Sequence, residues 1–205
     1  MLSHEELLTA FVVLWAVIDP IGTIPVFASV TSGMNITDKK KVASIAAIAA
    51  SGILLFFIVA GEILLWAMGV PLTAFQISGG LILFLFALTM IFGTSKPDEE
   101  MQMIRSTADT AIFPLATPSI ASPGAIMAAV LLTENSRNSI PEQIVIAGIT
   151  LLVVFIAYVL MRCSVHILNL IGDSGASIAS RIMGLILASV AATYVLEGIK
   201  KYFQI

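Results

Sequence analysis

Charge is scarce in this 205-residue chain. Lys and Arg number 10 and Asp and Glu 13, together 11% of residues, against about 25% in soluble domains. No basic stripe runs along it, which argues against nucleic acid as a partner. One cysteine, Cys163, excludes an internal disulfide and a cysteine-based zinc site. Set among apolar residues, it reads as a packing residue. Metalloprotease and nucleophile-elbow motifs are missing. Asp38, Asp98, Asp109 and Asp173 fall in expected loops, so Asp19 has no membrane-embedded partner for an aspartyl dyad. With no catalytic constellation, an enzyme is not expected. The opening MLSHEELL lacks the basic n-region of a signal peptide, so the first apolar segment is expected to remain as a helix.

What is abundant is apolar sequence: 59% hydrophobic residues and a mean hydropathy of +1.04. A spanning helix needs about 20 apolar residues, so the chain has room for six spans and no sizeable soluble domain. The expected spans are 7–30, 42–68, 72–93, 111–132, 143–168 and 178–200, in one transmembrane domain, 1–205. Polar stretches 31–41, 94–110, 133–142 and 169–177 and the turn Gly69-Val70-Pro71 join them. Pro141 suits a helix start. Lys39, Lys40, Lys41, Lys96, Arg105, Arg162 and Arg181 fall on one side, and Arg137, Lys200 and Lys201 on the other. The positive-inside rule then puts both termini outside and the 94–110 linker in the cytoplasm. The acidic run Asp98–Glu100 reads as a solvated part of that linker.

Two of the spans are interrupted. DPIGTIP (19–25) breaks the first, and PLATPSIASPGAI (114–126) breaks the fourth. Proline removes a backbone donor and clashes with the preceding turn, and a carboxylate at membrane depth is costly and usually functional. Pro20 and Pro25 recur as Pro118 and Pro123, an offset of 98. Gly80, Leu81, Ile82, Leu83 and Thr89 recur as Gly184, Leu185, Ile186, Leu187 and Thr193, an offset of 104. Each half therefore carries three spans, and an odd number turns the second half upside down. The expected fold is an all-α polytopic membrane protein: two inverted three-helix repeats, about 7–93 and 111–200, with helices 1 and 4 interrupted near the midplane. Paired interruptions of this kind point to a transport site.

The breaks also suggest chemistry. Asp19-Pro20, Thr117-Pro118 and Ser122-Pro123 each read as an N-cap followed by proline at the first helical position. Half-helix N-termini attract anions, so a substrate carboxylate is expected on the N–H groups around Gly22 and Gly124. Gly22, Thr23, Ser119, Ala121, Ser122 and Gly124 are small, and a small pocket selects a small substrate. Asp19 either pairs with a substrate amine, carries a coupling proton or only caps a half-helix. Gln76 and Arg181, in corresponding places of the two halves, are expected as outer and inner gates, with snorkelling to the surface as the other reading of Arg181. Glu62 and His166 read as interfacial. Ser78-Gly79-Gly80 reads as a close-packing site. Trp15 and Trp66 fit an interface belt, Trp15 at greater depth.

At DPIGTIP, AFQISGG, PLATPSIASPGAI and RIMGLIL the chain resembles the MarC family of bacterial and archaeal inner-membrane proteins, along nearly its whole length. The resemblance implies six spans with both termini outside and kinship with LysE-like transporters. It also implies, from the SnatA-type members, transport of small neutral amino acids such as glycine and alanine. It carries a binding role to Asp19, Pro20, Gly22 and Pro25, and to Pro118, Ser122, Pro123 and Gly124. Many relatives read Gly-Pro-Gly at Ser122-Pro123-Gly124 and Arg at Gln76. The first difference narrows or repolarises the pocket, and the second removes a positive charge from the outer gate. The expected function is secondary transport by alternating access, coupled to H+ or Na+ and without a cofactor. The expected partners are an amino acid, the lipid bilayer and, compatibly, further copies of the chain. An exporter of another small solute on the same fold, or a channel, is the alternative.

Overall fold

The structure, a computed structural model, describes residues 3–92, 107–135 and 138–204. Every regular element among them is helical. The elements are α1 (His4–Ile18), α2 (Thr23–Val30), α3 (Ile36–Ala67), α4 (Leu72–Phe92), the single turn α5 (Thr107–Thr110), a π-helical segment (Ala111–Ile120), α6 (Pro123–Leu132) and α7 (Ile140–Phe203). Five stretches are long and apolar enough to cross a membrane, and the count is six if the bent pair Thr107–Ile120 with Pro123–Leu132 is one span. Most of the expected linker, 94–106, lies outside the described residues, and 107–110 is the helical turn α5.

Helix ends follow their caps rather than the edges of apolar runs. Ser3 and Glu6 form a capping box, so α1 starts at His4. Asn35 accepts the Asp38 N–H at 2.8 Å, so α3 starts at Ile36 and takes in Lys39–Lys41, which were expected in a loop. Helical structure also continues through the expected 169–177 linker. Gly172 alone leaves helical geometry there (φ 66°) and divides α7 into two limbs, with apolar spans Ile140–Ile167 and Arg181–Phe203.

Small residues line the helix contacts, as they must where lipid supplies no hydrophobic drive. Ala43, Ala46, Ala50, Leu54, Ile58 and Gly61 form the buried stripe of α3, which packs on the π segment, α6 and α7. Gln76, Gly79, Gly80, Leu83 and Ala87 form that of α4. A methyl on Gly79 would strike Met127 of α6. One on Gly80 would lie 2.8 Å from Val195 and 3.1 Å from the Ala191 carbonyl oxygen. Thus α4 is wedged between α6 and the second limb of α7. On that limb, a methyl on Gly184 would lie 3.0 Å from the Ala87 carbonyl oxygen and 2.9 Å from Ile91. Shifting Gly80, Ala87 and Ile91 by 104 residues gives Gly184, Ala191 and Val195, so the contact reads the same from either helix. Alanine at Gly80 or at Gly184 is expected to cost similar stability, about 1–3 kcal/mol, seen as matched falls in Tm in detergent.

Large apolar side chains point outward: Ile48, Val59 and Trp66 are exposed, as befits a surface in lipid. Cys163 is also exposed on this surface rather than packed inside. Trp15 is half-buried and tilts against Phe11 with ring centroids 5.8 Å apart.

Candidate functional site

No half-helix is long enough to cross alone. At 1.5 Å per residue, α1 reaches about 22 Å, α2 about 12 Å and α6 about 15 Å, against about 30 Å of hydrocarbon. Both breaks therefore fall inside the bilayer, where exposed backbone must be satisfied or must line a polar site.

At the first break Asp19 ends α1 in the left-handed region (φ 48°, ψ 68°), which Asp and Asn tolerate better than most residues. Its N–H still bonds the Trp15 carbonyl at 3.0 Å. Pro20 has no N–H to offer the Ala16 carbonyl. The Asp19 carboxylate takes the Gly22 N–H at 2.9 Å, which in an unbroken helix would serve Ile18. Thr23 donates both its N–H, at 3.1 Å, and its hydroxyl, at 3.0 Å, to the Asp19 carbonyl. The expected cap is thus made three residues on, but from a left-handed residue, and regular helix resumes only at Thr23 with Gly22 as its N-cap. The Gly22 N–H is already taken and is not open to a substrate carboxylate. A methyl on Gly22 would overlap the Asp19 carboxyl group.

At the second break the π segment and α6 meet at 56°. Phe113 and Thr117 are extended, each before a cis proline. The Thr117 hydroxyl accepts no backbone N–H among the described residues, so the expected cap is not made there. Pro118 removes one helical donor, and the Ala121 N–H reaches back to the Ala116 carbonyl at 2.8 Å. Ser122 is the N-cap and Pro123 the first helical residue, as expected. The Ser122 hydroxyl accepts the Ala125 N–H at 3.0 Å and donates to the Val17 carbonyl at 2.9 Å.

That last bond ties the two breaks together. Val17 would ordinarily receive the Ile21 N–H, and Ser122 serves it instead. The N–H groups of Ile21, Ser122 and Gly124 and the carbonyls of Ala16 and Ile18 then have no partner among the described residues. Asp19, Pro20, Thr23, Ser119, Ser122 and Gly124 are buried. Gly22, Pro25, Thr117 and Pro118 are half-buried, and the Pro123 ring faces outward. Replacing Ser122 with alanine leaves the Val17 carbonyl and the Ala125 N–H unpaired. A loss of about 1–3 kcal/mol is expected, measurable by thermal unfolding in detergent.

Among the described residues, no group of three or more His, Cys, Asp or Glu gathers to hold a metal ion. The site's polar groups are one carboxylate, hydroxyls and main-chain dipoles. Over residues 4–203 the chain matches the model of the MarC family of integral membrane proteins. The chain belongs to the MarC family. It is 33% identical over 199 residues to a UPF0056 membrane protein of Methanocaldococcus jannaschii, covering 96% of this chain and 97% of that one. A UPF0056 membrane protein of Buchnera aphidicola is 31% identical over 195 residues, covering 95% and 92%. One from Aquifex aeolicus is 29% identical over 199 residues, again covering 95% and 92%. No solved structure matches the chain. As a MarC protein it is an integral, multi-pass membrane protein.

The remaining polar residues of this MarC chain fall into two groups. Glu62 is half-buried and accepts the Asn135 N–H at 2.8 Å, fastening the end of α3 to the loop after α6. Gln76 is buried, and its amide nitrogen lies 3.5 Å from the carboxylate of Glu197. Arg181 and His166 are exposed. Sequence reasoning missed Glu197. It also missed the Val17 carbonyl, which has no signature in sequence.

Proposed function

We propose that this MarC protein is a secondary transporter of small neutral amino acids, of the glycine and alanine kind, working by alternating access around the two breaks. The observation that carries this reading is the Ser122–Val17 bond, which joins the N-cap of α6 to the chain two residues before Asp19. A zwitterion needs both donors and acceptors. The Ser122 and Gly124 N–H groups at the start of α6, at the positive end of its dipole, suit a carboxylate. The second oxygen of Asp19 and the Ala16 and Ile18 carbonyls suit an ammonium. The small residues Gly22, Ala121 and Gly124 at the breaks favour a small substrate.

The reciprocal contact of Gly80 and Gly184 supports a local two-fold axis between α4 and the second limb of α7, hence two inverted repeats. In this reading the termini lie outside a bacterial or archaeal cytoplasmic membrane. Gln76 and Glu197 close the outer side, and Arg181 stands at the inner surface. A proton or sodium gradient drives the cycle.

Proteoliposomes loaded with the purified protein test this directly. Saturable glycine or alanine uptake under an imposed proton or sodium gradient is expected. No flux under either gradient overturns the reading, and flux that fails to saturate points to a channel. Thermal shifts across a panel of small solutes separate an amino acid from another exported solute, since a ligand stabilises the state that binds it.

A further inference from the structure

α3 packs against α7, and near its lysine-bearing start Ser44 comes within hydrogen-bonding reach of Tyr158 on the first limb of α7. Two i, i+4 pairs meet there: Lys40 and Ser44 on α3, and Tyr158 and Arg162 on α7. Arg162 donates to the Tyr158 hydroxyl at 2.6 Å, with its guanidinium carbon 5.6 Å from the ring centroid. Ser44 and Lys40 approach the same phenol from α3. Among the described residues no carboxylate pairs with Lys39, Lys40, Lys41 or Arg162, and the nearby Asp38 carboxylate receives the Asn35 amide at 2.7 Å. The lysines also sit at the positive end of the α3 dipole, which adds to their charge instead of balancing it.

We propose that this groove seats the phosphate of an anionic phospholipid. Arg162 and Lys40 supply the charge. Tyr158, which accepts from Arg162 and keeps its own hydroxyl proton, is the neutral donor. The Ser44 hydroxyl is given to the Lys40 carbonyl at 3.0 Å. Lipid rather than a free anion is favoured by what lies below. Ile48 continues the Lys40–Ser44 stripe and Phe155 the Tyr158–Arg162 stripe, and both are exposed. Cations at the head of a paired apolar track match the headgroup and acyl chain of one amphiphile. Basic clefts between spanning helices commonly hold such headgroups. The site is independent of the transport reading and needs only that the chain lie in a bilayer.

Native mass spectrometry of the detergent-purified protein, with added phosphatidylglycerol or phosphatidylcholine, tests it. The wild type is expected to retain phosphatidylglycerol preferentially. Lys40→Gln and Arg162→Gln should each weaken retention roughly fivefold. Replacing Lys200 and Lys201 with glutamine at the other end should change nothing. Equal retention of the two lipids by the wild type overturns the proposal without any variant. Unchanged retention in the Lys40/Arg162 double variant overturns it too. Full displacement of phosphatidylglycerol by millimolar inorganic phosphate would assign the groove to a soluble anion and overturn the lipid.

Discussion

Replacing Asp19 with asparagine is expected to cut glycine uptake at limiting concentration by about 10- to 100-fold, the factor a lost charged hydrogen bond of roughly 1.5–3 kcal/mol represents. The change is nearly isosteric. An amide oxygen still accepts the Gly22 N–H, bonded at 2.9 Å in the native chain, and asparagine tolerates the left-handed backbone that Asp19 adopts. The break should therefore persist, and Tm should move little. Loss of uptake with an intact fold separates a substrate-binding or proton-carrying Asp19 from one that only caps. Repeating the assay under a sodium gradient and under a proton gradient then divides the two functional roles. Loss under the proton gradient alone marks a coupling group, and loss under both marks a substrate contact. Unchanged uptake under both gradients would reduce Asp19 to a structural cap and remove the carboxylate from the transport reading.

Gly22→Ala should be the more damaging change, because it removes the site and the turn together. The new methyl would overlap the Asp19 carboxyl group, reaching its carbon as well as its oxygens. The carboxyl group cannot stay on the Gly22 N–H, so the break loses its cap while the carboxylate loses its position. We expect uptake to fall below that of Asp19→Asn, with a stability loss of about 1–3 kcal/mol from overpacking. The two readouts together are diagnostic: Asp19→Asn loses transport alone, while Gly22→Ala loses transport and Tm. A Gly22→Ala protein with wild-type uptake and Tm would mean that the observed geometry of the first break is not the working one.

The two interrupted segments stood out in the sequence because proline, glycine and a carboxylate are conspicuous in apolar runs. Ser122-Pro123 was legible to the residue, since a cap and its first-turn proline are local chemistry. Asp19-Pro20 was legible in part: the carboxylate caps, but the backbone turns left-handed first. Thr117-Pro118 carries the same dipeptide signal and does not cap, because regular α-helix resumes only after Ser122. Gly22 and Gly124 looked equivalent as anion donors. They differ because Asp19 folds back onto one of them, a choice no spacing rule contains. Lys39–Lys41 were misplaced in a loop for a simpler reason: the Asn35 cap, not the end of the apolar run, sets where α3 begins.

Composition and order along the chain were enough to determine an all-helical membrane protein of the MarC family, with five to six spans and two interrupted segments. Lipid leaves few other ways to satisfy the polar backbone of so apolar a chain, and breaks require residues that cannot hide. Only the tertiary structure decided that the Ser122 hydroxyl serves the Val17 carbonyl, that the Gly22 N–H is occupied while Gly124 is left unserved, and that Gln76 meets Glu197. Whereas the Asp19–Gly22 bond is made locally by the left-handed turn, the Ser122–Val17 and Gln76–Glu197 contacts are pairings between groups on different helices. Which partner such a group finds depends on how far two helices can approach, and that distance is set by side chains on other helices.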